Sequence, residues 1–116
     1  MRLVHEPKSG APTTLAADVE TADGWMRKLR GLMFRRSLPA SYALAFRFDA
    51  VKARDVHMLF VFVPLDVVWV ADGVVQRVER LPPWRGYARE ACDLIVELPA
   101  GAAADVEPGD AVELES

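Results

Sequence analysis

The stretch from residue 56 to residue 70 constrains the fold of this chain more than any other. It reads Val-His-Met-Leu-Phe-Val-Phe-Val-Pro-Leu-Asp-Val-Val-Trp-Val, and only His57, Pro64 and Asp66 interrupt its apolar character. A run so rich in valine and phenylalanine is typical of strands that are buried on both faces of a sheet. It is shorter than the roughly 20 residues that a membrane-spanning helix needs. We therefore expect this stretch to form buried sheet.

Asp66 is the only carboxylate in this apolar stretch. An unpaired buried charge is costly or is neutralised by a shifted pKa, so a buried Asp66 needs partners. A bidentate pair with the guanidinium of Arg30, Arg35 or Arg36 would satisfy it. The alternative is a general acid or base that is tuned by burial. We favour the structural ion pair.

The length of the chain suits one core and leaves no room for a second. It has 116 residues, of which 52% are hydrophobic, and we expect a single domain over residues 1–116. The only cysteine, Cys92, has no internal disulfide partner and is expected to be a small buried residue. Glu6 and Pro7 come before a hydrophobic region of signal-peptide length can form, so we expect a cytoplasmic protein without a membrane segment.

Charge is distributed unevenly along the chain, although the net charge is only −3. Residues 1–89 contain all fourteen Lys and Arg residues and nine acids, whereas residues 90–116 contain eight acids and no base. Apolar residues are interleaved with these acids, which favours solvent-exposed faces of strands over an acidic tail. The segment 27–36 has five positive charges and suggests nucleic-acid binding. We favour a solvated helix face there, because no nucleic-acid motif accompanies it.

Short strands dominate the predicted secondary structure. One helix is predicted near residues 22–31, because apolar residues recur there every three to four positions. Asp72-Gly73 lies between valine-rich runs and predicts a hairpin over residues 65–81, since its tight turn needs a positive φ. The predicted strands cover residues 1–6, 13–19, 42–48, 54–62, 65–71, 74–81, 93–98 and 111–115. This pattern predicts a mainly β domain (α+β by content), either a two-layer sandwich or a partly open barrel.

Five sequence elements follow one another along the chain. They are Arg30-Gly-Leu-Met-Phe-Arg35, the apolar stretch with Pro64-Leu-Asp66, the Asp72-Gly73 turn, Val96-Glu-Leu-Pro-Ala-Gly101 and Pro108-Gly-Asp110. Their order and spacing resemble those of the DUF192 family of uncharacterised proteins. The resemblance covers about residues 13–115. It implies a small, jelly-roll-like β-sandwich without an established biochemical activity.

The chain departs from the family pattern just before Pro64. Many members carry Trp-Met-Lys-Asn-Thr at this place, where this chain has His57-Met-Leu-Phe-Val61, a form that resembles an archaeal branch of the family. The polar Lys-Asn-Thr trio is thus replaced by three apolar residues. If the trio lines a binding site in other members, this chain either lacks that site or binds something more apolar.

Two further groups of residues are candidates for binding. His57 has the chemistry of a proton shuttle or a metal ligand, but His5 is the only other imidazole and no metal-ligand spacing is present, so we predict no metal and no cofactor. Trp84, Arg85 and Tyr87 lie in a proline-bounded loop predicted over residues 81–90. Aromatic residues beside arginine suit sugars, anions or protein surfaces.

The sequence contains no nucleophile motif and no phosphate-binding loop, and we assign no catalytic residue. We favour a noncatalytic domain that binds a small ligand or a protein through a concave sheet face or the loop at 81–90. The alternatives are a small enzyme that uses His57 and Asp66 in one pocket, and nucleic-acid binding through residues 27–36. The candidate binding residues are Arg30, Arg35, His57, Asp66, Trp84, Arg85 and Tyr87.

Overall fold

The computed structural model describes residues 1–22 and 38–115, which form eight β-strands and no α-helix. The strands are β1 (Arg2–Glu6), β2 (Thr13–Ala16), β3 (Asp18–Ala22), β4 (Tyr42–His57), β5 (Leu65–Ala71), β6 (Val74–Leu81), β7 (Tyr87–Pro99) and β8 (Ala111–Glu115). The predicted helix near residues 22–31 lies outside the described residues, apart from Ala22, which ends β3. This part of the chain has no helix that could cross a membrane.

All eight strands belong to one sheet, in the order β2-β1-β8-β6-β5-β7-β4-β3. Neighbours are antiparallel except β3 and β4, which run parallel. The two edge strands, β2 and β3, are separated in sequence by Ala17 alone, so the two ends of the sheet lie close together in space. Of the two architectures predicted, this curled sheet corresponds to the partly open barrel.

Strand β5 and the second half of β7, from Leu94 to Leu98, are buried on both faces. Every residue from Leu65 to Val70 is buried, which confirms the double burial predicted for this part of the apolar stretch. Because side chains alternate along a strand, Leu65, Val67 and Trp69 pack into one apolar core and Val68 and Val70 into another. We call these the first core and the second core. The first also contains Met58, Val61, Leu81 and Ile95, and the second Leu3, Val96, Leu98, Ala103 and Val112.

The hairpin prediction is confirmed. β5 and β6 cover the predicted residues and pair antiparallel. Asp72 has a φ of 50° and Gly73 a φ of 80°, so both central residues adopt the positive φ that a type I′ turn requires.

Several predicted boundaries are wrong. Residues 58–62 form a turn rather than the end of a strand, and β7 begins at Tyr87 instead of Asp93, so the predicted loop at 81–90 shrinks to residues 82–86. β4 runs without a break where two strands were predicted, and the predicted strand at 13–19 divides at Ala17. β4 and β7 support each other's length, since they pair from Leu44 with Glu97 to His57 with Tyr87.

Candidate functional site

Asp66 is a buried structural anchor. Its side chain is only 4% exposed, and its Oδ1 accepts a hydrogen bond from Arg80 Nε at 2.9 Å. Its Oδ2 accepts from the backbone N–H groups of Gly101 at 2.9 Å and Ala103 at 3.0 Å. The carboxylate therefore fastens the turn after β7 to the end of the hairpin. Its hydrogen bond and its negative charge raise the pKa of Arg80.

A guanidinium partner for Asp66 is present among the described residues. It is Arg80, which lies directly opposite Asp66 on β6, so the strand register supplies it. The three predicted partners, Arg30, Arg35 and Arg36, lie outside the described residues.

His57 and Asp66 do not form an acid–base pair. His57 is exposed at the end of β4, and among the described residues no hydrogen bond joins it to Asp66. Both carboxylate oxygens already accept from other donors. The geometry therefore gives no support to an enzyme that uses these two residues in one pocket.

His5 and Asp110 form a second buried pair, which the sequence analysis missed. Their Nε2 and Oδ2 atoms lie 2.8 Å apart, and because an ionised carboxylate can only accept, the imidazole N–H donates. Asp110 also accepts from the backbone N–H groups of Glu107 at 2.9 Å and Lys8 at 3.2 Å. The hydrogen bond from His5, followed by those from the backbone, lowers the pKa of Asp110. The pair joins β1 to the turn before β8, and no local sequence pattern links residues so far apart in the chain.

Two loops meet at one end of the β4–β7 ribbon and expose a group of aromatic and apolar side chains. The backbone N–H of Met58 donates to the carbonyl of Gly86 at 3.0 Å, and that of Trp84 donates to the carbonyl of Val61 at 3.2 Å. The Trp84 ring packs edge-to-face against Phe60 and Phe62, with centroids 5.2 and 5.3 Å away. We call this surface the aromatic rim, and its members are Leu59, Phe60, Phe62, Trp84 and Tyr87.

The rim side chains remain in contact with solvent although they are large and apolar. Leu59 is 50% exposed, Phe60 38%, Trp84 43% and Tyr87 58%. Clusters of exposed apolar side chains are uncommon on soluble domains and mark interaction surfaces.

The backbone under the rim adopts a costly conformation. Phe60 has a φ of 62° and Trp84 a φ of 66°, a region that costs a non-glycine residue roughly 1–2 kcal/mol. Gly86 leaves no space for a side chain, because a Cβ there would lie 2.7 Å from Leu81 Cβ and Met58 Cγ. Such strain persists only where surrounding structure enforces it, and it concentrates at binding sites.

Four of the predicted site residues belong to the rim or lie beside it. Trp84 and Tyr87 belong to it, Arg85 is exposed in the same loop, and His57 pairs in register with Tyr87. The Tyr87 hydroxyl donates to Asp55 at 3.2 Å. Asp66 serves the turn after β7 instead, and Arg30 and Arg35 lie outside the described residues.

Sequence reasoning missed Leu59, Phe60 and Phe62 as rim residues, because their apolar character predicted a buried strand. The departure from the family pattern was the available signal. Apolar residues that replace a polar trio just before Pro64 indicate a changed surface as readily as a core.

The described residues define a small all-β domain, and they contain no group of three or more His, Cys, Asp or Glu residues that could hold a metal ion. The chain belongs to the DUF192 family, described as "Uncharacterized ACR", whose family model matches residues 6–114. The resemblance noted in the sequence is thereby confirmed.

Two solved structures share the fold. One is a protein from Sinorhizobium meliloti 1021, described as a "putative transcription regulator", with 27% identity and a TM-score of 0.84 over 97% of this chain and 91% of that one. The other is a protein of unknown function from Novosphingobium aromaticivorans DSM 12444, with 23% identity and a TM-score of 0.85 over 97% of this chain and 84% of that one. A comparison with curated proteins gave no match.

Proposed function

We propose that this domain is a noncatalytic binding module whose aromatic rim docks an apolar segment of a partner protein. The observation that carries the proposal is the pair of bulky residues, Phe60 and Trp84, held exposed at positive φ. Aromatic side chains and arginine are enriched at the centres of protein interfaces. Because the strained backbone costs stability, we infer that the exposed side chains are retained for their contacts with a partner.

A protein partner fits the rim better than a small ligand does. Small-molecule sites bury about 70–90% of their ligand inside a concave pocket. The rim side chains instead project outward, with Tyr87 58% exposed. Their broad exposure suits an opposing surface of similar size.

The surroundings of the rim indicate the charge of the partner. Arg85 is exposed beside Trp84, whereas the carboxylate of Asp55 already accepts a hydrogen bond from the Tyr87 hydroxyl. We expect the partner segment to carry acidic residues next to its apolar ones, since complementary charge speeds association and fixes orientation. The proposal includes the cytoplasmic location expected from the sequence, where the buried Cys92 thiol stays reduced.

Site-specific photo-crosslinking tests this proposal in the source cell. A benzophenone amino acid replaces Leu59 in the rim or, as the control, Gln76, which is exposed on β6. We expect discrete crosslinked products from position 59 that are absent from position 76. The Trp84→Ala variant should abolish them while its thermal midpoint shows that the domain is still folded.

The same products from both positions, or products that persist after Trp84→Ala, would contradict a docking role for the rim. Native mass spectrometry of the purified domain distinguishes a protein partner from a small ligand. A retained compound of low mass, lost with Trp84→Ala, would show that the rim takes a small molecule instead.

A further inference from the structure

We propose that a bulge in β4 forms a second binding site, independent of the rim, for a phosphate group. The β4–β7 ladder is interrupted between Arg47, which faces Leu94, and Lys52, which faces Cys92. Residues 48–51 of β4 therefore lie opposite the single residue 93 of β7. Bulges of this kind re-aim side chains and are frequent beside functional sites.

Arg54 braces the bulge from within. Its guanidinium lies 3.7 Å from the centroid of the Phe48 ring. Its Nη2 donates to the carbonyl of Ala50 at 2.7 Å, and its Nε donates to the carbonyl of Cys92 at 3.2 Å. One side chain therefore connects the bulged residues to the opposing strand.

The cavity is small and basic. It has a volume of about 330 Å³ and is lined by Arg47, Phe48, Asp49, Ala50, Lys52 and Arg54, which are three cations and one carboxylate. Arg47 and Lys52 form no ion pair with any described residue, although acids outnumber bases in this chain. Asp93, which lies opposite the bulge on β7, accepts from the backbone N–H of Asp72 at 3.4 Å.

A phosphate group matches these features. Arg47 and Lys52 line the same cavity and form no ion pair with a described residue, and phosphate offers acceptor oxygens to both. The phosphate could come from a free phosphorylated compound or from a nucleic-acid backbone. The chemistry at Arg47 and Lys52 is the same in both cases.

Calorimetric titration of the full chain with inorganic pyrophosphate tests the site. Arg47→Gln and Lys52→Gln should each weaken binding about tenfold, since each removes a charge-assisted contact. Arg89→Gln is the matched control, because it removes the same charge from an exposed position outside the cavity, and it should leave the affinity unchanged. Thermal unfolding of each variant confirms that the fold is intact.

A second arm of the experiment distinguishes the sources of phosphate. If a nucleic-acid backbone is the natural ligand, a short oligothymidine should bind more tightly than pyrophosphate and lose affinity steeply with added salt. If a free phosphorylated compound is the ligand, pyrophosphate should bind at least as well as the oligonucleotide. Absence of binding to either probe at low ionic strength, or an equal loss with Arg47→Gln, Lys52→Gln and Arg89→Gln, would overturn the proposal.

Discussion

At the scale of single residues, two of the buried carboxylates, Asp66 and Asp110, stabilise this fold in the same way. Each accepts two backbone N–H groups and one further hydrogen bond from a basic side chain. The two N–H groups at Asp66 come from one turn, whereas those at Asp110 come from Glu107 and from Lys8, which lie in different segments. Every oxygen therefore accepts at least one hydrogen bond. A carboxylate that is held by three donors orders the backbone around it.

Replacing Asp66 should destabilise the domain. Asp66→Ala leaves the N–H groups of Gly101 and Ala103 without their acceptor, and we expect a loss of about 1–3 kcal/mol in the free energy of unfolding. Arg80→Ala should cost less, because the Arg80 side chain is 58% exposed and its ion pair is screened by solvent. Urea denaturation of both variants measures the difference. An equal loss for the two would show that the ion pair, and not the backbone contact, is what matters.

Asp110 should make stability depend on pH in the acid range. Its pKa in the folded protein is lowered below the ordinary value of 3.8, so the unfolded chain takes up the proton first. The contribution of Asp110 is thus fully present above about pH 4 and is lost as the pH falls through the folded pKa. Urea midpoints at pH 5, 4 and 3 (values near the ordinary carboxyl pKa of about 3.9) should fall less in Asp110→Asn than in the parent.

Asp105→Asn, at an exposed site close in sequence, is the control for this pH series. It should follow the parent curve. If the curve for Asp110→Asn also follows the parent, Asp110 does not contribute to the loss of stability in acid.

At the scale of the elements, one extra residue in the hairpin decides which side chain faces Asp66. The turn pairs Ala71 with Val74 and Val70 with Val75, but beyond a register shift Trp69 pairs with Arg77, so Gln76 is the extra residue. Without this bulge, Glu79 would lie opposite Asp66 in place of Arg80. The need for a partner was predictable from the apolar surroundings of Asp66, but its identity depended on a bulge that no sequence pattern announces.

Deleting Gln76 should leave the partners across the hairpin unchanged. Without residue 76, a regular register still pairs Trp69 with Arg77 and Asp66 with Arg80, as the bulged strand does in the parent. We therefore expect the deletion variant to keep one cooperative transition in the circular dichroism melt. Gln76→Ala keeps the bulge and should stay within about 0.5 kcal/mol of the parent. A deletion variant that no longer unfolds cooperatively would show that the bulge itself is needed, and not only the pairing beyond it.

The turn of the same hairpin offers a test of backbone conformation alone. A Cβ at Gly73 would meet nothing within 4 Å, so a substitution there costs only what the positive φ imposes. Gly73→Val should lose roughly 1–2 kcal/mol, because a β-branched residue resists that region. Gly73→Asn should be milder, since asparagine tolerates it. Equal denaturation curves for the two variants would contradict the role of φ.

Element boundaries were predictable where the signal was local and failed where pairing came from afar. The hairpin rested on Asp72-Gly73 and valine-rich strands, and both strands have the predicted bounds. The first half of β7 has no strong strand signal of its own and is extended because β4 pairs with it. The prediction for the rim was wrong for the opposite reason. The local signal there was strong, because the apolar character of Phe60 predicted a strand, but the chain turns at this residue.

At the scale of the whole molecule, the two apolar cores share the same strands. β5 and β7 send alternate side chains to the first core and to the second, so neither core can form while the other is unfolded. The chain termini add to this coupling, because β1 pairs with β8 through its whole length and Arg2 forms an ion pair with Glu115 at 2.9 Å. This arrangement predicts one cooperative unit over the described residues.

Adjacent residues of β7 allow the coupling to be measured. Ile95 is fully buried in the first core and Val96 is fully buried in the second. Ile95→Ala should cost about 2–5 kcal/mol through the cavity that it leaves, and Val96→Ala somewhat less because valine is smaller. Val74→Ala, at a position that is 42% exposed, should stay within about 0.5 kcal/mol of the parent.

The decisive quantity is the number of transitions rather than the size of each loss. Thermal unfolding followed by far-ultraviolet and near-ultraviolet circular dichroism should give one coincident transition for the parent and for both core variants. In each variant the whole transition should move to lower temperature, whichever core carries the cavity. Two separated transitions, with Ile95→Ala lowering one and Val96→Ala the other, would mean that the two faces of the sheet unfold independently and that the single-domain prediction is wrong.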